Sequence, residues 1–136
     1  FDTGSGNLIV PSIECEDPAC RSHARFNANL SETSEVVASA DADVAAAASL
    51  AAASGRRRPR DTVTITFGTG EITGCFAKDK VCIGGLCSRM SFITATKESE
   101  DPFQEAPFDG ILGLGFKDLS MGEKFNIVDD LTDSQQ

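Results

Sequence analysis

From Thr62 to Phe76 the chain alternates polar and apolar residues with a period of two: Thr62-Val63-Thr64-Ile65-Thr66-Phe67, then Gly68-Thr69-Gly70, then Glu71-Ile72-Thr73-Gly74-Cys75-Phe76. Such alternation puts every second side chain on one face of a strand, and the glycine turn folds the two arms into a hairpin. The same reading extends along the chain. Further strands are expected from Lys80 to Ile83 and from Met90 to Thr96, parted by the Gly84-Gly85 turn. Residues 1 to 12 read as a strand, a tight Gly-Ser-Gly turn and a second strand, with Leu8, Ile9 and Val10 forming a short buried run before Pro11. Phe108 to Gly115 is apolar and punctuated by glycine. One helix is expected, from Lys124 to Leu131 after the Asp118-Leu119-Ser120 turn, because Phe125, Val128 and Leu131 recur at helical spacing. The fold class is therefore all-β, with a short helix near the C-terminus.

Two stretches break the β pattern. Residues 13 to 35 are polar and turn-rich, and within them Asn29-Leu30-Ser31 forms an N-glycosylation sequon, which marks a surface loop. From about residue 36 to residue 60 the composition changes abruptly. An alanine tract runs from Val44 to Ala53, followed by Gly55-Arg56-Arg57-Arg58-Pro59-Arg60. Alanine favours helix, but an isolated helix of this length is marginal in water and this one has almost no large apolar face to bury. The segment is read as a surface insertion with a solvated basic loop. The chain opens inside an apparent motif and its first methionine is Met90, so it reads as a piece of a longer protein.

At 136 residues and 40% hydrophobic content the chain has enough material for one core. A net charge of −9 argues against nucleic acid as a partner, since phosphates would be repelled. No apolar run approaches a membrane-spanning length. Four of the five cysteines fall into two equal pairs, Cys15-x4-Cys20 and Cys82-x4-Cys87. Small disulfide loops, implying a secretory route, are the simpler reading. A zinc site is the rival, although ligand pairs usually carry shorter spacers and His23 is the only histidine. Cys75 is left over and is read as a buried or semi-buried thiol without chemistry.

Phe1-Asp2-Thr3-Gly4-Ser5 sets a carboxylate between an apolar residue and a glycine turn, where backbone amides and hydroxyls can hydrogen-bond to the acid. Alone, an aspartate before glycine is ordinary turn chemistry. The order of further segments adds to it. Phe1-Asp2-Thr3-Gly4-Ser5-Gly6-Asn7-Leu8-Ile9-Val10-Pro11-Ser12 resembles the first active-site motif of the pepsin-like aspartic proteases, and Cys15 to Cys20 resembles their small disulfide loop. Phe67-Gly68-Thr69-Gly70 is similar to their flap tip. Ala106-Pro107-Phe108-Asp109-Gly110-Ile111-Leu112-Gly113-Leu114-Gly115 is similar to the segment whose strand crosses behind the catalytic loop. Cys82, Cys87 and the alanine tract point towards plasmepsin-like members from apicomplexans.

The resemblance implies an incomplete N-terminal lobe, spanning residues 1 to 136, of a bilobal β-barrel fold with a flap hairpin. It implies an aspartic endopeptidase in which Asp2 faces a second aspartate, supplied by a C-terminal lobe, across a bound water. The resemblance gives Thr3 the role of locking the two active-site loops together. Gly4 lets substrate backbone approach, and Ser5 hydrogen-bonds the outer oxygen of Asp2. Phe67, Gly68 and Thr69 belong to the flap, with Gly68 and Thr69 binding the main chain of an extended peptide. Phe103, Phe108 and Ile111 wall a pocket for large apolar residues, or else simply pack the core. Asp109 reads as a structural loop residue. No metal or other cofactor is implied. The partners are a peptide or protein substrate and the second lobe, and the location is the secretory pathway, an acidic vesicle or vacuole, or the extracellular space.

Two departures stand out. The family usually has Tyr where this chain has Phe67 and often Trp where it has Ile9, the two joined by a hydrogen bond. Losing both polar ends together leaves no buried group unsatisfied, whereas losing one would cost about 1–3 kcal/mol. An apolar flap contact is the expectation. The other departure is that no second Asp-Thr-Gly or Asp-Ser-Gly occurs, so these residues alone are not expected to cleave peptides. Two alternatives follow: a non-catalytic peptide-binding relative, and a retroviral-type protease that dimerises to pair its single aspartates.

Overall fold

A computed structural model of the chain describes residues 1–37 and 61–133, and for Val36 and Glu123 the backbone only. The insertion read over residues 36–60 lies outside the described residues from position 38 onward. Among the described residues six strands form one sheet: β1 (Leu8–Pro11), β2 (Glu35–Val37), β3 (Val63–Phe67), β4 (Gly70–Ile83), β5 (Leu86–Glu98) and β6 (Ile111–Leu112). Their order is β2-β4-β5-β1-β6, with β3 also paired to β4. The protein is mostly sheet, curled as half a barrel, as the alternation led one to expect.

The expected hairpin is present, with Phe67 opposite Gly70 and Gly68 supplying the positive φ of 57° that the turn needs. Its second arm is longer than the sequence indicated. The segments Glu71–Phe76 and Lys80–Ile83 are one continuous strand of 14 residues, because Ala77 and Asp79 between them are buried and two of the three donors to the Asp79 carboxylate come from outside the strand. It accepts hydrogen bonds from the hydroxyls of Ser31 and Thr33 and from the N–H of Lys80. Burial alone would raise the Asp79 pKa, but these bonds and the field of Arg89 hold it below its ordinary value.

β2 straddles the stretch read as turn-rich up to residue 35 and the one read as an insertion from about residue 36, so the insertion begins after Val37; three residues are too few to carry a periodic signal. β2 pairs Glu35 with Lys78 and Val37 with Phe76, while β3 pairs Val63 with Gly74 on the same edge of β4. Both run antiparallel to β4, so Val37 and Val63 lie two register positions apart on one edge, about 7 Å at ordinary strand rise. At the other end of the chain, the strand expected before the Gly-Ser-Gly turn is a single bridge between Asp2 and Gly113. The helix near the C-terminus, α3 (Ile127–Asp133), follows α1 (Pro18–Arg21) and α2 (Glu100–Phe103), two single turns that the sequence did not announce. Its inward face also differs from the expected one. Val128 is 37% exposed, whereas Phe125 and Ile127 are buried. The helix starts later because Asn126 caps it, accepting from Asp129 N–H at 3.0 Å while its own amide donates to Gly115 O at 2.8 Å.

The core gathers Ile9, Ile72, Phe76, Ile93, Phe103 and Phe125. Both cysteine pairs are disulfides, which decides between the two readings: Cys15–Cys20 ties down α1, and Cys82–Cys87 closes the tip of the β4–β5 hairpin. Cys75 is a buried free thiol.

Candidate active site

Asp2 sits on a loop held against the segment after β6 by a ladder of backbone hydrogen bonds. Asp2 N–H donates to Leu112 O at 2.8 Å, and Leu114 N–H returns to Asp2 O at 2.7 Å. Gly113 N–H reaches Asn7 O, and Gly115 N–H reaches Ser5 O, both at 2.8 Å. Gly6 N–H adds a bond to Leu119 O at 3.1 Å. This closeness is possible only because residue 113 lacks a side chain: a Cβ there would lie 2.6 Å from both Asn7 N and Ser5 O. Glycine at position 113 is thus what lets the segment after β6 lie directly against the Asp2 loop.

The carboxylate of Asp2 accepts a hydrogen bond from Gly4 N–H at 2.9 Å. The hydroxyl of Ser5 is buried and makes no hydrogen bond among the described residues, so the bond from Ser5 to Asp2 that the resemblance implies is not formed in this chain by itself. The backbone of Ser5 is instead committed to Gly115. Thr3 and Gly4 are exposed, and Asp2 is half-buried, leaving this edge of the loop open.

Gly68 and Thr69 are exposed at the tip of the β3–β4 hairpin. Phe67 is half-buried and meets Phe103 edge to face, with ring centroids 6.2 Å apart. This contact is apolar, and Ile9 is a core residue at 1% exposure. A Cβ on Gly70 would lie 2.5 Å from the Phe103 ring, so the tip end of the hairpin and Phe103 fit only with glycine there. Phe103, Phe108 and Ile111 line one small depression together with Ile9 and Ile72. They are not equivalent: Phe103 is buried, Ile111 half-buried and Phe108 49% exposed.

Two residues of this region fasten it through distant contacts that the sequence does not show. Asn7 is buried and its side-chain oxygen accepts from Met121 N–H at 2.9 Å, fixing the loop that follows Asp2. His23 bridges two segments, its Nδ1 lying 2.7 Å from Ala19 O and its Nε2 2.8 Å from Ala106 O. Those hydrogen bonds, first to Ala106 and then to Ala19, raise its pKa above 6.5, helped by Asp109 and Glu98. Asp109 meanwhile accepts from Ala24 N–H at 3.1 Å, a loop-fastening contact. Burial pushes the Glu98 carboxyl up, opposed by His23.

The chain matches the family model described as eukaryotic aspartyl protease over residues 1–49 and 37–136. Among curated proteins, it is 34% identical to pepsin A of Bos taurus over 98% of this chain and 30% of that protein. It is 39% identical to phytepsin of Hordeum vulgare over 90% of this chain and 20% of that protein. Cathepsin E of Cavia porcellus is 34% identical over 96% of this chain and 28% of that protein. The chain therefore spans less than a third of the length of each of these relatives.

Proposed function

Because the chain belongs to the eukaryotic aspartyl protease family, we propose that the complete protein is an aspartic endopeptidase to which these residues contribute Asp2. The observation that carries this reading is the support of the Asp2 loop: hydrogen bonds from both directions fix its backbone, and Gly4 N–H binds its carboxylate. A group held in this way loses little freedom when it reacts.

In this proposal residues 1–136 belong to an N-terminal lobe interrupted by an insertion at about 38–60, and a C-terminal lobe supplies the second aspartate. Two facing carboxylates cannot both ionise easily, so they share a proton and titrate as a unit, the behaviour that aspartic proteases typify. The ionised member takes a proton from a water held between them. The protonated member donates to the carbonyl oxygen of the scissile peptide, and attack of the water gives a tetrahedral diol with no covalent enzyme intermediate. Thr3 locks the two loops together, and Gly4 leaves room for substrate backbone. Completion of the site would turn the buried Ser5 hydroxyl to the outer oxygen of Asp2. The peptide lies extended beneath Gly68 and Thr69, with a large apolar side chain in the pocket walled by Phe103, Phe108 and Ile111. The two disulfides support a route through an oxidising secretory compartment to an acidic vesicle, vacuole or cell exterior. Cys82–Cys87 and the alanine tract support a plasmepsin-like subtype.

Replacing Asp2 with Asn in the complete protein is expected to abolish peptide cleavage while leaving the thermal unfolding midpoint nearly unchanged. Retained turnover would refute the assignment. The apolar contact of Phe67 with Phe103 favours a second reading, a peptide-binding protein without turnover. That reading prevails if the complete wild-type protein binds a peptide tightly and leaves it uncut across acidic pH.

A further inference from the structure

We propose that Asn29 carries an N-linked glycan, attached before the segment around it docks onto the sheet. Asn29-Leu30-Ser31 has the acceptor pattern, an asparagine with a hydroxyl two residues on and no proline between. The structure puts this sequence on a protruding turn, the 3-10 helix Ala28–Leu30, whose entry is capped by Asn27 accepting from Asn29 N–H at 3.1 Å. Asn29 is exposed, and its side-chain amide makes no hydrogen bond among the described residues. Next to it Leu30 is 84% exposed, apolar surface that a sugar on the neighbouring residue would shield. Neither residue belongs to the Asp2 loop, the flap hairpin or the Phe103 depression, so a bulky group here does not obstruct the proposed cleft.

The hydroxyl of Ser31 sets the order of events. In the folded protein it donates to Asp79 Oδ2 at 2.6 Å, within the cluster of Ser31, Thr33 and Lys80 around that carboxylate. Arg89 reinforces the docking, donating to Thr33 O at 2.7 Å and pairing with Glu35 at 2.6 Å. A transferase that recognises the sequon needs this hydroxyl, which is available only while residues 29–33 are still undocked. The co-substrate is a lipid-pyrophosphate-linked oligosaccharide. The Asn29 amide nitrogen bonds to the anomeric carbon, the bond from that carbon to the pyrophosphate oxygen breaks with its electrons, and the amide proton is released. The inference rests on passage through the secretory route, which the two disulfides also support.

The test is to direct the full-length protein into the endoplasmic reticulum of a eukaryotic cell and map its disulfide-bonded form by mass spectrometry, with and without peptide-N-glycosidase. The expected result is conversion of Asn29 to aspartate by the amidase in the wild type and in Ser31→Thr, and loss of the modification in Asn29→Gln and Ser31→Ala. Asn29→Gln leaves the Asp79 cluster intact, so its secreted yield separates glycan loss from misfolding. Disulfide-bonded wild-type protein with an unmodified Asn29 overturns the proposal. The readout is mass at one residue, and it stands or falls independently of whether the protein cleaves peptides.

Discussion

His23 lies between two carbonyl oxygens, each of which can only accept a hydrogen bond, so both ring nitrogens are satisfied only in the imidazolium form. Asp109 and Glu98 are the charged groups that favour that form. The sign follows from the raised pKa. The stabilising contribution is fully present below the unfolded value near 6.5 and is lost as pH rises through the higher folded value. His23→Phe in the full-length protein is therefore expected to lower the thermal midpoint at pH 5 and to do little at pH 8, flattening the pH dependence of stability. Thermal melts across that range, with an NMR titration of His23, check this, and an unchanged slope would count against it. From the sequence His23 was weighed only as a metal ligand. Its real partners are backbone carbonyls 4 and 83 residues away, and the distant one leaves no trace in residue type.

At the scale of elements, β2 and β3 are two halves of one edge. Val37 faces Phe76, Val63 faces Gly74, and the register leaves a single position opposite Cys75 between them. The segment that joins them in sequence thus leaves and re-enters the sheet at neighbouring places, and the entropy of closing such a loop grows only slowly with its length. Deleting residues 38–60, so that Asp61 and Thr62 follow Val37 directly, is expected to change the stability of the full-length protein by less than about 1 kcal/mol. Denaturant unfolding of the deletion variant measures it, and loss of cooperative folding would show that the segment contributes to the lobe. The composition shift near residue 36 was legible as a boundary. That both its flanks belong to one sheet edge was not, because β2 is three residues long and pairs with a strand about 40 positions away.

For the whole molecule, the decisive contact is β1 slotted between β5 and β6, parallel to the first and antiparallel to the second, with Ile9 opposite both Ile93 and Ile111. Ile9 is 1% exposed and joins the loop of Asp2 to the core. Ile9→Ala is expected to cost about 2–5 kcal/mol, the usual range for emptying a large buried aliphatic site. Such a loss should appear in chemical denaturation of the full-length protein, and a cost below about 1 kcal/mol would mean that this site collapses or is looser than its burial implies. By itself the sequence determined the alternation that makes a sheet, the glycine turn of the flap hairpin, the paired cysteines and the motif around Asp2, since each depends on residues close together in the chain. Only the tertiary structure decided that Gly113 and Gly115 clasp the Asp2 loop, that Asp79 joins two expected strands into one, and that Asn126 delays the last helix. Those are contacts between distant segments, and they exist only once hydrophobic burial has brought the segments within hydrogen-bonding distance.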